Sequence, residues 1–448
     1  IYRPSPQFSI NCRVLCHPLS HIFSTSMTEG CLPKEWKRTN ITPIFKKGKK
    51  QSPENYRPIN VLCIPCKIME SCIKDVVVEH LLNNGLIFPS QHGFLPRRSC
   101  TTNLLIYLNE VTLSLDAGIP FDVILVDFRR AFDMVPFTHM LRKLEAHGIV
   151  GQLLTWFKDW MSDRKQRVVI NGSSSDWTDV ISSVVQGSVI GPILFLIFIN
   201  DIDCVMHEDT KLYKFADDSK FGRRIRTQTD AAILQADLDG IVLWAKRNGM
   251  CLHPQKTMVL HFGHNNPRHQ YTIDGAVITT SDCSKDLGVD INIKCTPRDH
   301  VTAIAKKANC VLGQLRRVTV CRSKEMVMKT YKIYVRPILE SAVQVWSPWL
   351  SCDIEHLEKV QRRATKLVSG IGSKTYEERL SYCNLTTLEQ RRERADVTEC
   401  FKILNGFTDM EQRTFFEHIT ERHDVSTRGA TEDLLVPEKT KLDIRKFF

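Results

Sequence analysis

Leu212-Tyr-Lys-Phe-Ala-Asp-Asp-Ser-Lys-Phe221 sets two adjacent carboxylates, Asp217 and Asp218, between two short apolar runs. Leu212 to Phe215 and Lys220-Phe221 read as paired strands, which predicts a β-hairpin with the carboxylates at its tip. Upstream, Val123-Ile-Leu-Val126 is a short β-branched run, so a strand buried on both faces is expected to end at Asp127. Pro136 opens a helical stretch with apolar Met140, Leu141 and Leu144, closed by Gly148, and Pro192 opens an apolar helix ending near Asn200. Ala231 to Lys246 carries Ile233, Leu234, Leu238, Ile241, Val242 and Ala245 at helical spacing, and Met258-Val-Leu-His-Phe262 alternates as a strand. The order strand, helix, helix, hairpin, helix, strand predicts a split βαβ sheet with helices on one face. From Val301 onward the pattern is almost entirely helical.

The rest of the composition narrows the class. The chain has 448 residues, with 61 Lys and Arg against 50 Asp and Glu, a net charge of +11 that favours a polyanionic partner. With 42% hydrophobic and 25% charged residues it is neither wholly disordered nor collagen-like, and its length suits two or three packed domains. Ile193 to Ile199 is the longest uninterrupted apolar run after a breaker, far short of the ~20 residues of a membrane helix, so no membrane partner is expected. No charged n-region and apolar core begin the sequence, and 16 scattered cysteines fit reduced thiols inside a cell. Cys63-Ile-Pro-Cys66 has CxxC spacing but no second pair at zinc-ribbon distance, so two buried thiols at the approach to a helix are expected rather than a zinc knuckle. Charge is uneven: Lys34 to Lys50 holds seven Lys or Arg against one Glu, and Val301 to Gly370 holds thirteen basic against five acidic residues. Either run alone reads as a solvated face, but here the two flank an acidic centre.

That centre carries the chemistry. Asp127 at a strand end and Asp217-Asp218 at a hairpin tip are expected to meet on neighbouring strands. Three converging carboxylates repel one another unless a cation neutralises them, and hard oxygen donors select Mg²⁺ or Mn²⁺. Two such ions about 3.5–4 Å apart would serve phosphoryl transfer by activating a hydroxyl and stabilising the leaving oxygen. An Asp-Asp pair is by itself a common solvated turn; the apolar strands beside it and the preceding Gln186-Gly-Ser-Val-Ile-Gly-Pro192 weaken that reading.

Nearly the whole chain resembles a reverse transcriptase of the non-LTR retrotransposon type, close to the jockey and chicken-repeat group. Leu32-Pro33, Trp36-Lys37, Pro43-Ile-Phe-Lys-Lys-Gly48 and Asn55-Tyr-Arg-Pro-Ile59 are similar to the opening fingers motifs, and Gln91-His-Gly-Phe94 with Arg98-Ser99 to the next. Val126-Asp-Phe-Arg-Arg-Ala-Phe-Asp133 resembles motif A, Gln186 to Pro192 motif B, and Phe215-Ala-Asp-Asp218 the F/Y-A-D-D box. Gln255-Lys-Thr257 and Leu287-Gly-Val289 look like the later palm motifs, and Arg336-Pro337, Trp346-Ser-Pro348 and Val360-Gln-Arg-Arg-Ala-Thr-Lys366 like the region after the palm. Two departures stand out. Gly93-Phe94 is followed by Leu95 and Arg97 where the family often has Gly-Phe-Arg-x-Gly, and Arg129-Arg130 replace the frequent serine and lysine.

The resemblance implies an α+β right-hand polymerase with fingers, a split-βαβ palm, a helical thumb and a mainly helical C-terminal region. Its expected partition is an N-terminal helical extension over 1–31, fingers and palm over 32–295, a thumb-like region over 296–400 and a truncated tail over 401–448. Asp127, Asp217 and Asp218 would hold two Mg²⁺ or Mn²⁺ ions, and Lys256 would donate a proton to departing pyrophosphate. Lys49, Lys50 and Arg57 would grip the triphosphate. Gln186 and Gly187 would line the pocket where template base and nucleotide meet. Phe132 occupies the family's steric-gate position, where a flat ring excludes a 2′-hydroxyl; packing in the core is its simpler role, and both are compatible.

The implied activity is RNA-directed DNA polymerisation, with an RNA template, a DNA primer and dNTPs as partners, in the nucleus or a cytoplasmic ribonucleoprotein. An RNA-directed RNA polymerase is the rival enzyme, disfavoured by Phe132. A catalytically inactive nucleic-acid-binding relic is the non-enzymatic rival, disfavoured by the intact aspartates. Relatives carry an endonuclease ahead of the polymerase that the residues before Leu32 are too few to form. Together with Ile at position 1, this reads as a fragment or truncated copy.

Overall fold

The computed structural model describes residues 12–46 and 48–416; the expected tail beyond Phe416 and the first residues of the expected N-terminal extension lie outside the described residues. In chain order come α1 (Cys12–Glu29), β1 (Arg38–Phe45), β2 (Tyr56–Val61), α2 (Ile64–Asn83), α3 (Cys100–Asp116) and β3 (Phe121–Val126). Then follow α4 (Phe137–Ala146), α5 (Gly151–Met161), β4 (Lys165–Ile170), α6 (Gly191–Ile199), β5 (Lys211–Phe215), β6 (Asp218–Arg224), α7 (Gln228–Arg247) and β7 (Met258–Phe262). Short strands precede α8 (Arg298–Val318), and among the helices after it α9 (Ser351–Thr365) and α10 (Leu388–Leu404) are the longest. The strands, hairpin and helices expected between Val123 and Phe262, and the helical pattern from Val301, are all present. Among the described residues no helix is long and apolar enough to cross a membrane.

The chain folds as two compact units that interleave in sequence, the first being Ile1–Phe94, Val126–Ser219 and Gln235–Thr257 and the second the remaining segments. In the first unit β1 pairs antiparallel with β2 and parallel with β4, in the order β2-β1-β4. Helix α6 is apolar on every side and buried along almost its whole length, as such a helix must be. Pro192 at its start fixes φ where no intrahelical donor is needed. Trp156, Phe157 and Trp160 of α5 are fully buried, and Asp159 of the same helix accepts from the Leu32 amide and pairs with Lys37 at 2.7 Å. The CxxC expectation is half corrected. Cys66 is buried in the first turn of α2, but Cys63 is exposed, because it caps the helix from outside its first turn.

In the second unit Thr279–Thr280, β7, β3 and β6 lie side by side in that order. Gly222 lets β6 approach β3, since a Cβ there would stand 2.6 Å from the Phe121 ring and 2.7 Å from the Asp122 carbonyl. Ser99 and Thr102 form a capping box at the start of α3. Helices α8 and α9 pack together, with Ala305, Ala308, Leu312, Leu357, Val360 and Ala364 buried. Buried Gln361 of α9 accepts from the Tyr331 hydroxyl at 2.8 Å.

Candidate active site

The hairpin turn between β5 and β6 belongs to the first unit and is braced from a distant stretch of sequence. Ala216 sits in the left-handed region at φ 57°, buried, where a non-glycine residue needs support. Its N–H donates to the Gln91 side-chain oxygen at 3.0 Å, and the Gly93 N–H donates to the same oxygen at 2.8 Å. Along β5 the Lys214 N–H donates to the Ser90 carbonyl and the His92 N–H to the Lys214 carbonyl, each at 2.8 Å. A Cβ on Gly93 would lie 2.6 Å from the Ala216 nitrogen, and the Phe94 ring packs 6.3 Å from that of Phe215. The Gln91-His-Gly-Phe94 motif is thus a strut that aims the hairpin tip.

Asp127 leaves the end of β3 on a backbone fixed by the segment 251–257. The His253 N–H donates to the Asp127 carbonyl at 2.8 Å, and the Arg129 N–H to the Cys251 carbonyl at 2.9 Å. A tight turn follows, with the Lys256 and Thr257 amides both donating to the His253 carbonyl, and it carries the Lys256 ammonium to 3.2 Å from Asp127 Oδ2. Both partners are half exposed, so the pair adds little stability. Its interest is positional.

Burial raises the Asp217 carboxyl above the ordinary carboxylate range, and the negative charge of Asp127 raises it further, against its own backbone hydrogen bond, Arg57 and Lys46. Burial also lowers the Lys46 amine, with Arg57 and Lys256 adding to the effect and Asp133 and Asp217 opposing it. Burial raises Asp133 too, opposed by Arg130 and Lys46. These residues therefore form one field: a pair of carboxylates, Asp127 and Asp217, with Lys46, Arg57 and Lys256 around them. Asp218 is exposed at the first position of β6. Among the described residues no three His, Cys, Asp or Glu side chains gather around one metal-sized point, so the expected three-carboxylate convergence is here a pair. Consecutive side chains leave the backbone in different directions, and the turn half-buries Asp217 while exposing Asp218. Hard oxygens and mutual repulsion make the Asp127 and Asp217 pair suited to a divalent cation.

The residues expected on the nucleotide side are placed by packing. The Phe132 ring stacks on Phe195 of α6 at 4.4 Å with planes 18° apart, so the residue is held by the core while staying half-buried. The Gln186 carbonyl accepts from the Asn60 backbone N–H at 2.8 Å and its side-chain amide at 3.3 Å. Gly187 has φ 112°, and a Cβ there would stand 2.4 Å from the Asn60 carbonyl oxygen, so only glycine fits. Fully buried Glu70 of α2 accepts from the Val189 N–H at 2.7 Å and the Trp160 indole at 2.9 Å, holding the same loop from beneath. Burial and the neighbouring Glu70 push the Cys66 thiol up and out of use as a nucleophile.

Arg57 stands exposed on β2, while Lys49 and Lys50 lie exposed in the loop between β1 and β2, their carbonyls accepting from the Asn55 side-chain amide and the Tyr56 hydroxyl at 2.9 Å each. The lysine that shares the field of the carboxylates is Lys46, which sequence reasoning left unassigned inside the motif Pro43 to Gly48. Asn60, Glu70 and Asp133 were missed as well. A carboxylate within the apolar run Ile68-Met-Glu-Ser-Cys-Ile73 was the available signal for Glu70.

A family model described as reverse transcriptase (RNA-dependent DNA polymerase) matches residues 45–291, more than half of the chain. The chain belongs to the reverse transcriptase family. Its fold is therefore the right-hand polymerase fold of that family, α+β as expected. The chain is 24% identical over 371 residues to the probable RNA-directed DNA polymerase from transposon BS of Drosophila melanogaster, covering 78% of this chain and 40% of that relative. It is 24% identical over 364 residues to the RNA-directed DNA polymerase from mobile element jockey of the same species, covering 79% and 40%. The chain thus spans about 40% of the length of these curated reverse transcriptase relatives. A structure of apo telomerase from Candida tropicalis is similar at a TM-score of 0.47 and 11% identity, covering 83% of this chain and 66% of that one.

Proposed function

We propose that the chain is an RNA-directed DNA polymerase of the non-LTR retrotransposon type, extending a DNA 3′ end on an RNA template. The observation that carries this reading is the half-buried Asp127 and Asp217 pair, flanked by Lys46, Arg57 and Lys256. The two aspartates, with Asp218 beside them, would hold Mg²⁺ or Mn²⁺, which when bound offsets charge on the attacking and leaving oxygens of nucleotidyl transfer. The chain's own groups do the rest. The positive charges of Lys46 and Arg57 act on Asp217 and would receive the triphosphate, with Lys49 and Lys50 adding diffuse attraction from the loop.

Lys256 Nζ shares an oxygen of Asp127 in the resting site and would move a proton to the departing pyrophosphate. Gln186 and Gly187, fixed against Asn60, would shape the base-pairing pocket. Phe132, immobilised on Phe195, would meet the sugar with a ring that cannot retreat, which favours dNTPs over ribonucleotides. Residues 32–295 would supply fingers and palm and 296–400 the thumb. Primer extension by the purified chain on an RNA template, with Mg²⁺ or Mn²⁺ and dNTPs, is the test. Extension that stops when Asp217 becomes Asn supports the reading, and no extension with either metal overturns it.

A further inference from the structure

The sheet of the first unit has a bare face. Register places Arg38, Asn40, Thr42 and Ile44 of β1 on one side, opposite Lys165 and Arg167 of β4 and Val61, Ile59 and Arg57 of β2. The alternating exposure of β1 shows which side is solvated: Arg38, Asn40, Thr42 and Ile44 are exposed, while Thr39 and Ile41 are buried. Ile44 and Val61 are each about half exposed there. None of β1, β2 and β4 contains an Asp or Glu. The face therefore joins cations to bare apolar surface.

At its outer end this face is crossed by Trp177, which is exposed and packs its ring on two guanidiniums, with Arg167 Cζ 4.6 Å and Arg38 Cζ 5.7 Å from the ring centroid. Arg167 is oriented by donating from Nε to the Asn40 side-chain oxygen at 2.9 Å. Lys165 is engaged with Asp179 at 3.5 Å, which leaves the two arginines as the cations of the platform. The other end of the face holds Arg57, paired in register with Ile44. From Arg38 to Ile44 the strand covers about 20 Å, enough for several nucleotides of extended chain.

We propose that Trp177, Arg38 and Arg167 form a base-stacking platform for an unpaired stretch of the RNA template, laid along this sheet face toward Arg57. An exposed aromatic ring packed on two guanidiniums suits a single strand, because a base stacks on the ring's open face while the guanidiniums take the adjoining phosphates. A protein partner would need its own charge complement, and a duplex offers no free base face. The proposal takes the identity of the strand from the polymerase reading; the platform itself stands on the geometry.

Two labelled primer–templates with the same duplex test it, one with a single unpaired template nucleotide and one with about ten, the latter long enough to cross the sheet. Wild type should bind the longer overhang more tightly. Trp177→Ala should weaken that binding roughly tenfold and leave the short-overhang affinity unchanged, while Trp177→Phe keeps most of the preference. Arg38→Ala with Arg167→Ala should lower the salt slope for the long overhang by about 1.4. All variants should extend the short-overhang substrate as wild type does.

No overhang preference in wild type, an unchanged preference in Trp177→Ala, or equal losses on both substrates would overturn the platform. Overhang binding that behaves as expected in a chain that extends neither substrate would leave the platform standing and sink the polymerase reading alone.

Discussion

Asp122 and Asp127 stand near the two ends of β3, and their surroundings differ in kind. Asp122 is fully buried and accepts from His261 Nδ1 at 2.8 Å, the Asn266 side-chain amide at 2.7 Å and the Tyr271 hydroxyl at 2.6 Å. Burial and the adjacent carboxylate push the Tyr271 hydroxyl well above its ordinary value, so it stays a donor. Asp127 is half exposed, touches one ammonium, and shares a field with Asp217 that raises the latter. A carboxylate with its acceptor capacity filled by neutral or ring donors is a strut. One with open oxygens beside a second carboxylate is a reagent or a ligand.

The largest effects should separate these roles. Asp127→Asn and Asp217→Asn should each lower primer extension by at least about a hundredfold, since removing one oxygen ligand weakens the clamp on both reacting oxygens. Neither should lower the melting temperature. Asp122→Asn should do the reverse, costing about 3 kcal/mol of stability because donors in the core lose their acceptor. Denaturant melts beside extension rates check the crossing; an Asp127→Asn chain that loses stability but keeps its rate would erase the distinction.

Sequence reading reached Asp127 and passed over Asp122, and the reason is physical. Local pattern reports what a segment does by itself: the apolar run of β3, the prolines that open α4 and α6 and the hairpin around Ala216 all follow from neighbours in sequence. The strut from Gln91 to Ala216, the grip of Glu70 on Val189 and the three donors to Asp122 join residues far apart in the chain. Of these only Glu70, a carboxylate inside an apolar run, leaves a local trace. The loop between β1 and β2 shows the same limit. The resemblance implied Lys49 and Lys50 beside Arg57; Gly48 at φ 93° turns the chain ahead of them, and Lys46 is a further lysine whose charge acts on Asp217. β4 carries no clean alternation, and its pairing with β1 went unread.

A smaller effect sharpens the contrast within the pocket. Gly187→Ala should lower kcat/KM for dNTPs roughly tenfold, because the Cβ meets the Asn60 carbonyl and the loop must shift from Gln186 onward. Gly172→Ala, at φ 85° with nothing near its would-be Cβ, carries similar backbone strain away from the site and should leave kcat/KM alone. Equal losses in the two variants would mean that strain, and not the placement of the pocket, sets the rate. Phe132→Ala should admit ribonucleotides and lose about 1 kcal/mol of ring stacking on Phe195. Sugar selectivity measured by competing dNTPs and rNTPs reads the first part and a denaturant melt the second; unchanged selectivity with reduced stability would make Phe132 a packing residue.

The smallest effect concerns a third carboxylate that has burial without Asp122's set of donors. Asp396 of α10 is raised from 3.8 to about 6, first by burial and then by Glu393, with Arg392 opposing. A raised carboxyl means that the folded chain holds its proton more tightly than the unfolded chain. The stabilising contribution is then fully present below the unfolded value and is lost as pH rises through about 6, leaving a partly buried charge at neutral pH. Asp396→Asn removes that charge and should stabilise the chain at pH 7.5 by about 1 kcal/mol, after allowance for solvent screening at a half-exposed site. The gain should fade between pH 6 and pH 4 as the wild-type carboxyl takes up its proton. Chemical denaturation of both chains across that range checks the sign: a gain that persists at low pH would point to improved helix propensity, and a loss at neutral pH would show that Asp396, like Asp122, has donors that depend on its charge.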